Sequence, residues 1–302
     1  MKDSLRALLS NILDYAGLFP PASLSLDQTY RNYCQYLASD DRWMLGRLIC
    51  PVEGTGALAD LIAASPASSA IPVCILGKAE HDIEQLLEAG TQLTRRFGGL
   101  VDFGAIEMPA SPDSISTKLR KSQFARSSPN PAIFFEIGWN GDWRSRWTAA
   151  VQLVIENQNV AGIIGLKLRT GGVTAEAFPP SSVVAGVIDL CRQHGVKLKF
   201  TAGLHHPVRR YHDSVQTRMH GFINVFAAGV MAWTHGMDAH GIVEILETED
   251  PGEFSFDDYG MKWKTLHAAT QRIKQVRDNA LISFGSCSFD EPRDDLRALN
   301  WW

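Results

Sequence analysis

The chain has few cysteines, and none are paired in sequence. Cys34, Cys50, Cys74, Cys191 and Cys287 are scattered through 302 residues. No two are close enough for a zinc knuckle or a C-x-x-C redox pair. An odd, dispersed set argues against a disulfide framework and fits a reducing compartment. There is no excess of one charge: 29 Lys and Arg face 33 Asp and Glu, a net charge of −4. That excludes a general nucleic-acid surface. No apolar run is long enough to span a bilayer. The opening MKDSLRALLSNILDYAGLF has the pattern of an amphipathic helix without the small-residue cleavage site of a secretory leader, so a cytoplasmic location is expected. There is no G-x-G-x-x-G turn. The first good strand runs into Pro51-Val52-Glu53-Gly54-Thr55-Gly56, whose lone G-x-G is too little for a dinucleotide fold. H-x-H and H-x-x-x-H spacings are also missing, and no cofactor is expected.

The chain does have a strand–helix rhythm. Residues 4–15 show helical apolar spacing (Leu5, Leu8, Leu9, Ile12, Leu13), and 27–38 is a second helix. Between them, Asp14 to Ala22 holds Pro20-Pro21 and reads as an extended linker, or as a loop that carries Asp14 or Tyr15 over a site. Strands are then predicted at 45–52, 71–76, 100–107, 132–138, 162–168 and 196–202. Helices are predicted at 54–64, 80–97, within 111–130, at 143–158 and at 181–194. Strands this short and this apolar suit a parallel sheet buried on both faces. Later segments are less regular: a buried helix at 222–233, helices at 239–246 and 263–276, and a last strand at 281–287. The predicted fold is α/β, a (β/α)8 TIM-type barrel in one domain, irregular in its last third. Residues 1–44 are read as a helical extension, 45–290 as the barrel, and 291–302 as a tail ending in Trp301-Trp302 that docks on the body or on a second copy.

Strand parity selects the lumen residues. With Ile164, Leu166 and Leu168 facing the helices, Lys167 and Arg169 turn inward. Val196, Leu198 and Phe200 facing out turn Lys197, Lys199 and Thr201 inward. Ile133, Phe135 and Ile137 facing out turn Glu136 inward. A Glu, two Lys and an Arg therefore meet near the carboxyl-terminal mouth, where this fold keeps its catalytic groups. Two adjacent lysines would depress each other's pKa and so favour an amine nucleophile. A structural ion-pair network is the alternative.

The run Lys167-Leu168-Arg169-Thr170-Gly171, followed by Val173-Thr174-Ala175, resembles the Schiff-base segment of class I aldolases of the deoxyribose-phosphate aldolase type. Lys199-Phe200-Thr201-Ala202-Gly203 is similar to that family's next strand, and Val101-Asp102 weakly to an earlier one. The resemblance covers about forty residues around these segments. It implies Lys167 as the imine-forming lysine, Lys199 as the lysine that tunes it, and Asp102 as a proton carrier. By parity, Glu107 is as good a lumen candidate as Asp102. Arg169 and the Leu204-His205-His206-Pro207 turn depart from the family pattern and put a phosphate-bearing substrate in question. The chain as a whole resembles bacterial proteins without an assigned reaction.

The expected site is therefore Lys167, Lys199, Glu136, Asp102 and His205 for chemistry. Arg169, Thr170, Gly171, Gly172, Thr201, His206 and Ser286 would bind substrate. Gly171-Gly172 would let backbone amides cradle an anion clamped by Arg169. Ser286 and Ser288 are placed to bind an anion, and Cys287 needs a nearby base to be a nucleophile. Met219-His220-Gly221 reads as a helix start beneath the mouth. The leading expectation is a lyase acting on a small carbonyl substrate with an anionic group. Two others stay open: a metal- or acid/base-dependent lyase or isomerase built on Glu136 and His205/His206, and a non-catalytic anion-binding module. Apart from a homo-oligomer, no macromolecular partner is expected.

Overall fold

The structure is a computed structural model that describes residues 1–121, 131–158 and 163–302. Eight parallel strands close into a barrel. They are β1 (Leu13–Tyr15), β2 (Leu45–Pro51), β3 (Ile71–Leu76), β4 (Val101–Pro109), β5 (Ala132–Glu136), β6 (Ile164–Arg169), β7 (Lys197–Thr201) and a last strand, Leu281–Ser286. Helices α1 (Asp3–Leu9), α2 (Leu26–Leu37), α3 (Thr55–Ala64), α4 (Ile83–Phe97), α5 (Pro112–Lys121), α6 (Trp143–Asn157) and α7 (Ser181–His194) precede or join them. The outward strand residues Ile133, Phe135, Leu166, Leu168, Leu198 and Phe200 are all buried in one apolar layer beneath these helices. This burial on both faces is what makes the strands nearly continuous in hydrophobicity.

The barrel begins earlier than the apolar pattern suggested. The first helix stops at Leu9, Asn11 turns the chain at φ 49°, and residues 13–15 form the strand that lies between β2 and the last strand. The predicted extension at 1–44 therefore contains the first barrel strand. Two features override the helical spacing. Leu13 and Tyr15 have parallel partners on both sides, and the Asp14 carboxylate between them is buried among donors.

The last third departs in a second way. After β7 come a small hairpin, β8 (Arg210–His212) and β9 (Thr217–Met219), then α8 (Phe222–His235), buried from Phe222 to Ala232, and α9 (Ala239–Leu246). The predicted helix over 263–276 is instead a strand end followed by a helix. Strands β10 (Phe254–Phe256), β11 (Gly260–Trp263) and β12 (Leu266–Ala269) form an antiparallel sheet, and α10 (Thr270–Asn279) starts only afterwards. Trp263 pairs with Leu266 across a two-residue turn in which Lys264 takes φ 51°. That turn fits the twist of a hairpin, and no helix can run through it. The strand Leu281–Ser286 is β13, and α11 (Asp290–Ala298) ends the fold. The tail docks on the body: Trp302 meets Trp43 edge-on at 5.2 Å, and Trp301 sits on Phe256 at the same separation. All five cysteines are free. Among the described residues no helix is long and apolar enough to cross a membrane.

Candidate active site

The lumen carries a chain of alternating charges. Lys167 and Lys199 are direct partners in the β6–β7 register, and Glu136 is the partner of Lys167 on β5. Lys167 Nζ donates to Glu107 Oε2 at 2.6 Å and lies 2.9 Å from Glu136 Oε2. Glu136 Oε1 accepts from Arg169 Nε at 3.2 Å. Below them, Lys199 Nζ donates to the other oxygen of Glu107 and, at 2.7 Å, to Asp14 Oδ2. Asp14 also accepts from Ser283 Oγ at 2.6 Å and from the Arg47 backbone N–H at 2.6 Å. Gly46 leaves the space that Asp14 fills, because a Cβ there would collide with the carboxylate. The order is Asp14, Lys199, Glu107, Lys167, Glu136, Arg169, each charge beside its opposite.

These neighbours decide the protonation states. Burial works against both ammonium groups, but Glu107 and Glu136 around Lys167, and Asp14 and Glu107 around Lys199, outweigh it and raise both pKa values. Burial likewise works against Glu107 and Glu136, and the adjacent cations pull both below the usual carboxylate range. The expectation that the lysines depress each other does not hold. Glu107 stands between them and binds both.

Above this network lies a cavity of about 450 Å³ at the carboxyl-terminal mouth. Its floor and polar wall are Lys167, Glu107, Glu136, Arg169, Thr201, His205 and Ser286; its apolar wall is Phe19, Pro20, Pro21, Ile49, Leu76 and Val173. The volume and mixed lining suit one small organic molecule. The end of β7 is shaped by two residues with positive φ, Ala202 at 62° and Gly203 at 75°. A Cβ on Gly203 would stand 2.7 Å from the Gly171 Cα, so the β6 and β7 ends approach closely only because both residues are glycine.

Of the residues singled out in sequence, Lys167, Glu136, Arg169, Gly172, Thr201, His205, Ser286 and Cys287 line this cavity, and Glu107 joins them. Lys199 lies beneath it, sealed from solvent. Lys197 is lower still, donating to the carbonyls of Asp278 and Asn279. Four expectations are corrected. Asp102 is exposed at the start of β4. The register slips between Phe103 and Ala105, and this bulge brings Glu107 into the lumen. Thr170 is buried and donates to the Ala202 carbonyl at 2.7 Å, holding the β7 turn rather than a ligand. Gly171 packs on Gly203 and Phe178 instead of facing the cavity. His206 is buried outside the cavity, 2.6 Å from Asp295 through Nδ1. Glu136 is held by two cations, and His205 and His206 each meet a carboxylate, with their rings 6.5 Å apart. Among the described residues no three His, Cys, Asp or Glu side chains come together as a metal site would need.

Asp14, read in sequence as part of a linker or of a loop over a site, is instead a buried strand residue beneath the cavity, while Phe19–Pro21 of the same segment do line it. The signal was an acid set inside an otherwise apolar run just before a proline pair. The fold is one commonly used by enzymes, with polar groups gathered at its carboxyl-terminal face. No protein-family model matches this chain, and no curated protein matches it.

Proposed function

We propose that the protein is a carbon–carbon lyase of the class I aldolase kind, in which Lys167 forms an imine with a small carbonyl substrate that carries an anionic group. One observation carries this reading: Lys167 is the lumen lysine that reaches the cavity floor, where it meets Glu107 and Glu136. At rest Lys167 is an ammonium. Attack on a carbonyl carbon requires a proton to pass from Nζ to Glu136 or Glu107. The carbonyl oxygen is then protonated and leaves as water, giving the iminium. Arg169, half-exposed at the rim, supplies the cation for the substrate's anionic group. The apolar wall displaces water from the reacting centre. Lys199 and Asp14 hold Glu107 in place from below.

A second reading follows from the raised pKa of Lys167. A permanent ammonium beside Glu136 also suits a non-covalent enolising isomerase or lyase, with the cation stabilising an enolate. Borohydride trapping separates the two. The protein is incubated with a panel of small aldehydes, ketones and keto acids, reduced, and mapped by mass spectrometry. A saturable adduct on Lys167, lost in Lys167→Met, is expected. Labelling scattered over surface lysines would sink the imine reading and leave the enolising one.

A further inference from the structure

A second titratable group faces the cavity, and its setting differs from the lysine network. His205 and His206 follow the β7 end. Their Nδ1 atoms meet Glu291 Oε2 at 2.8 Å and Asp295 Oδ2 at 2.6 Å. Glu291 and Asp295 are four residues apart on α11, so they share one helix face, and that face grips both histidines. The two rings then part. His206 stacks on His212 at 5.3 Å, and its Nε2 is sealed without a partner. His205 lines the cavity, and among the described residues its Nε2 has no protein partner. A carboxylate at Nδ1 fixes the tautomer: Nδ1 donates, and the neutral ring keeps its lone pair on Nε2. Glu291 is held below the usual carboxylate range first by its hydrogen bond with His205, so it remains an acceptor.

We propose that His205 and Glu291 form the proton-transfer dyad of this cavity, with His205 as a second catalytic residue and Glu291 as the residue that positions it. The proposal rests on the Lys167 imine reading and narrows the substrate to a β-hydroxy carbonyl compound. From the iminium on Lys167, His205 Nε2 takes the proton of the β-hydroxyl. The bond between the α and β carbons breaks, the β carbon leaves as an aldehyde, and the electron pair forms the enamine and neutralises the nitrogen. The Nε2–H then returns that proton to the enamine α carbon. Water hydrolyses the resulting iminium, releasing the carbonyl product and returning Lys167 to its ammonium form. The hydroxyl proton thus ends on the α carbon, and no oxidant or reductant is needed.

The test uses the full chain with pyruvate and hydroxyacetone as probes in deuterated water. Borohydride trapping at Lys167 and deuterium entry into the probe's methyl group are followed in parallel. His205→Gln is expected to keep trapping and to lose exchange by about 100-fold or more. Glu291→Gln is expected to weaken exchange and to shift its pH profile, and Glu291→Asp to restore part of it, a pattern that a purely structural contact would not give. Exchange unchanged in His205→Gln with trapping intact overturns the dyad. Absence of trapping in the unaltered protein means instead that the lysine reading has failed. The dyad is then judged by the imidazole nitrogen resonances of His205. A neutral ring protonated on Nδ1 supports it, and one protonated on Nε2 overturns it.

Discussion

The two levels of the barrel lumen hold the same kind of side chain with different access. Lys167 and Lys199 face each other in register, share Glu107, and each has a second carboxylate, Glu136 for one and Asp14 for the other. Lys199 also lies 5.2 Å over the Phe134 ring, at 1% exposure, under the floor of the cavity. Lys167 forms that floor. Charge pairing is therefore alike for the two lysines, and access to the cavity is what separates them.

The comparison is tested most strongly by removing each ammonium in turn. Lys199→Met leaves buried Asp14 without its cation and Glu107 with Lys167 alone, and a loss of about 3–5 kcal/mol is expected. Lys167→Met opens Glu107 and Glu136 to a cavity that water can enter, so its loss should be smaller while carbonyl labelling disappears. Urea denaturation checks both. Equal losses would mean that the two levels are equivalent.

Acid sharpens the same contrast. Glu107 and Glu136 have lowered folded-state pKa values, so their stabilising effect is complete above the unfolded value of about 4.3 and fades as pH falls through the folded value. Lys167 and Lys199 have raised values, so their effect is complete below about 10.4 and fades as pH rises through the folded value. Unfolding free energy should hence be insensitive to this cluster between those limits. Below about pH 4.3, Glu107→Gln should lose stability less steeply than the unaltered chain. An unchanged acid slope would remove Glu107 from the centre of the network.

A smaller effect is expected at the turn that shapes the upper level. Gly203→Ala puts a Cβ against Gly171 and Phe178 at φ 75°, at an expected cost of about 1–3 kcal/mol by thermal or urea unfolding. Two cysteines report access with the least disturbance. Burial raises the pKa of both Cys287, on the cavity wall, and Cys74, sealed behind that wall beside Ile49 and Ala105. A small neutral alkylating agent at pH 7 should modify Cys287 slowly and Cys74 only on unfolding. Equal rates would contradict the difference in depth.

Much of this arrangement was legible in sequence because period-2 burial is a local signal. Leu166 and Leu168 turned outward send Lys167 and Arg169 inward whatever the rest of the chain does, and the same holds for Glu136 and Lys199. What escaped depends on distant partners or on one irregular residue. The bulge in β4 makes parity useless for choosing between Asp102 and Glu107. Three residues cannot declare themselves a strand when their neighbours in the sheet come from far along the sequence, as those of β1 do. The hairpin at Trp263–Leu266 turns on the backbone of Lys264, an ordinary residue in an unusual conformation.

The brevity of β1 also constrains the order of assembly. Asp14 meets Ser283 across 269 residues of sequence. During synthesis the residues of β1 emerge among the first, yet one of their two strand neighbours is made near the end. Closing so long a loop is entropically slow, and contacts this far apart in sequence form late in folding. Until then Lys199 lacks its Asp14 counter-charge, and the cavity lacks the wall carried by Phe19–Pro21. The lumen charge network is therefore completed late, when the three residues of β1 seat against β13.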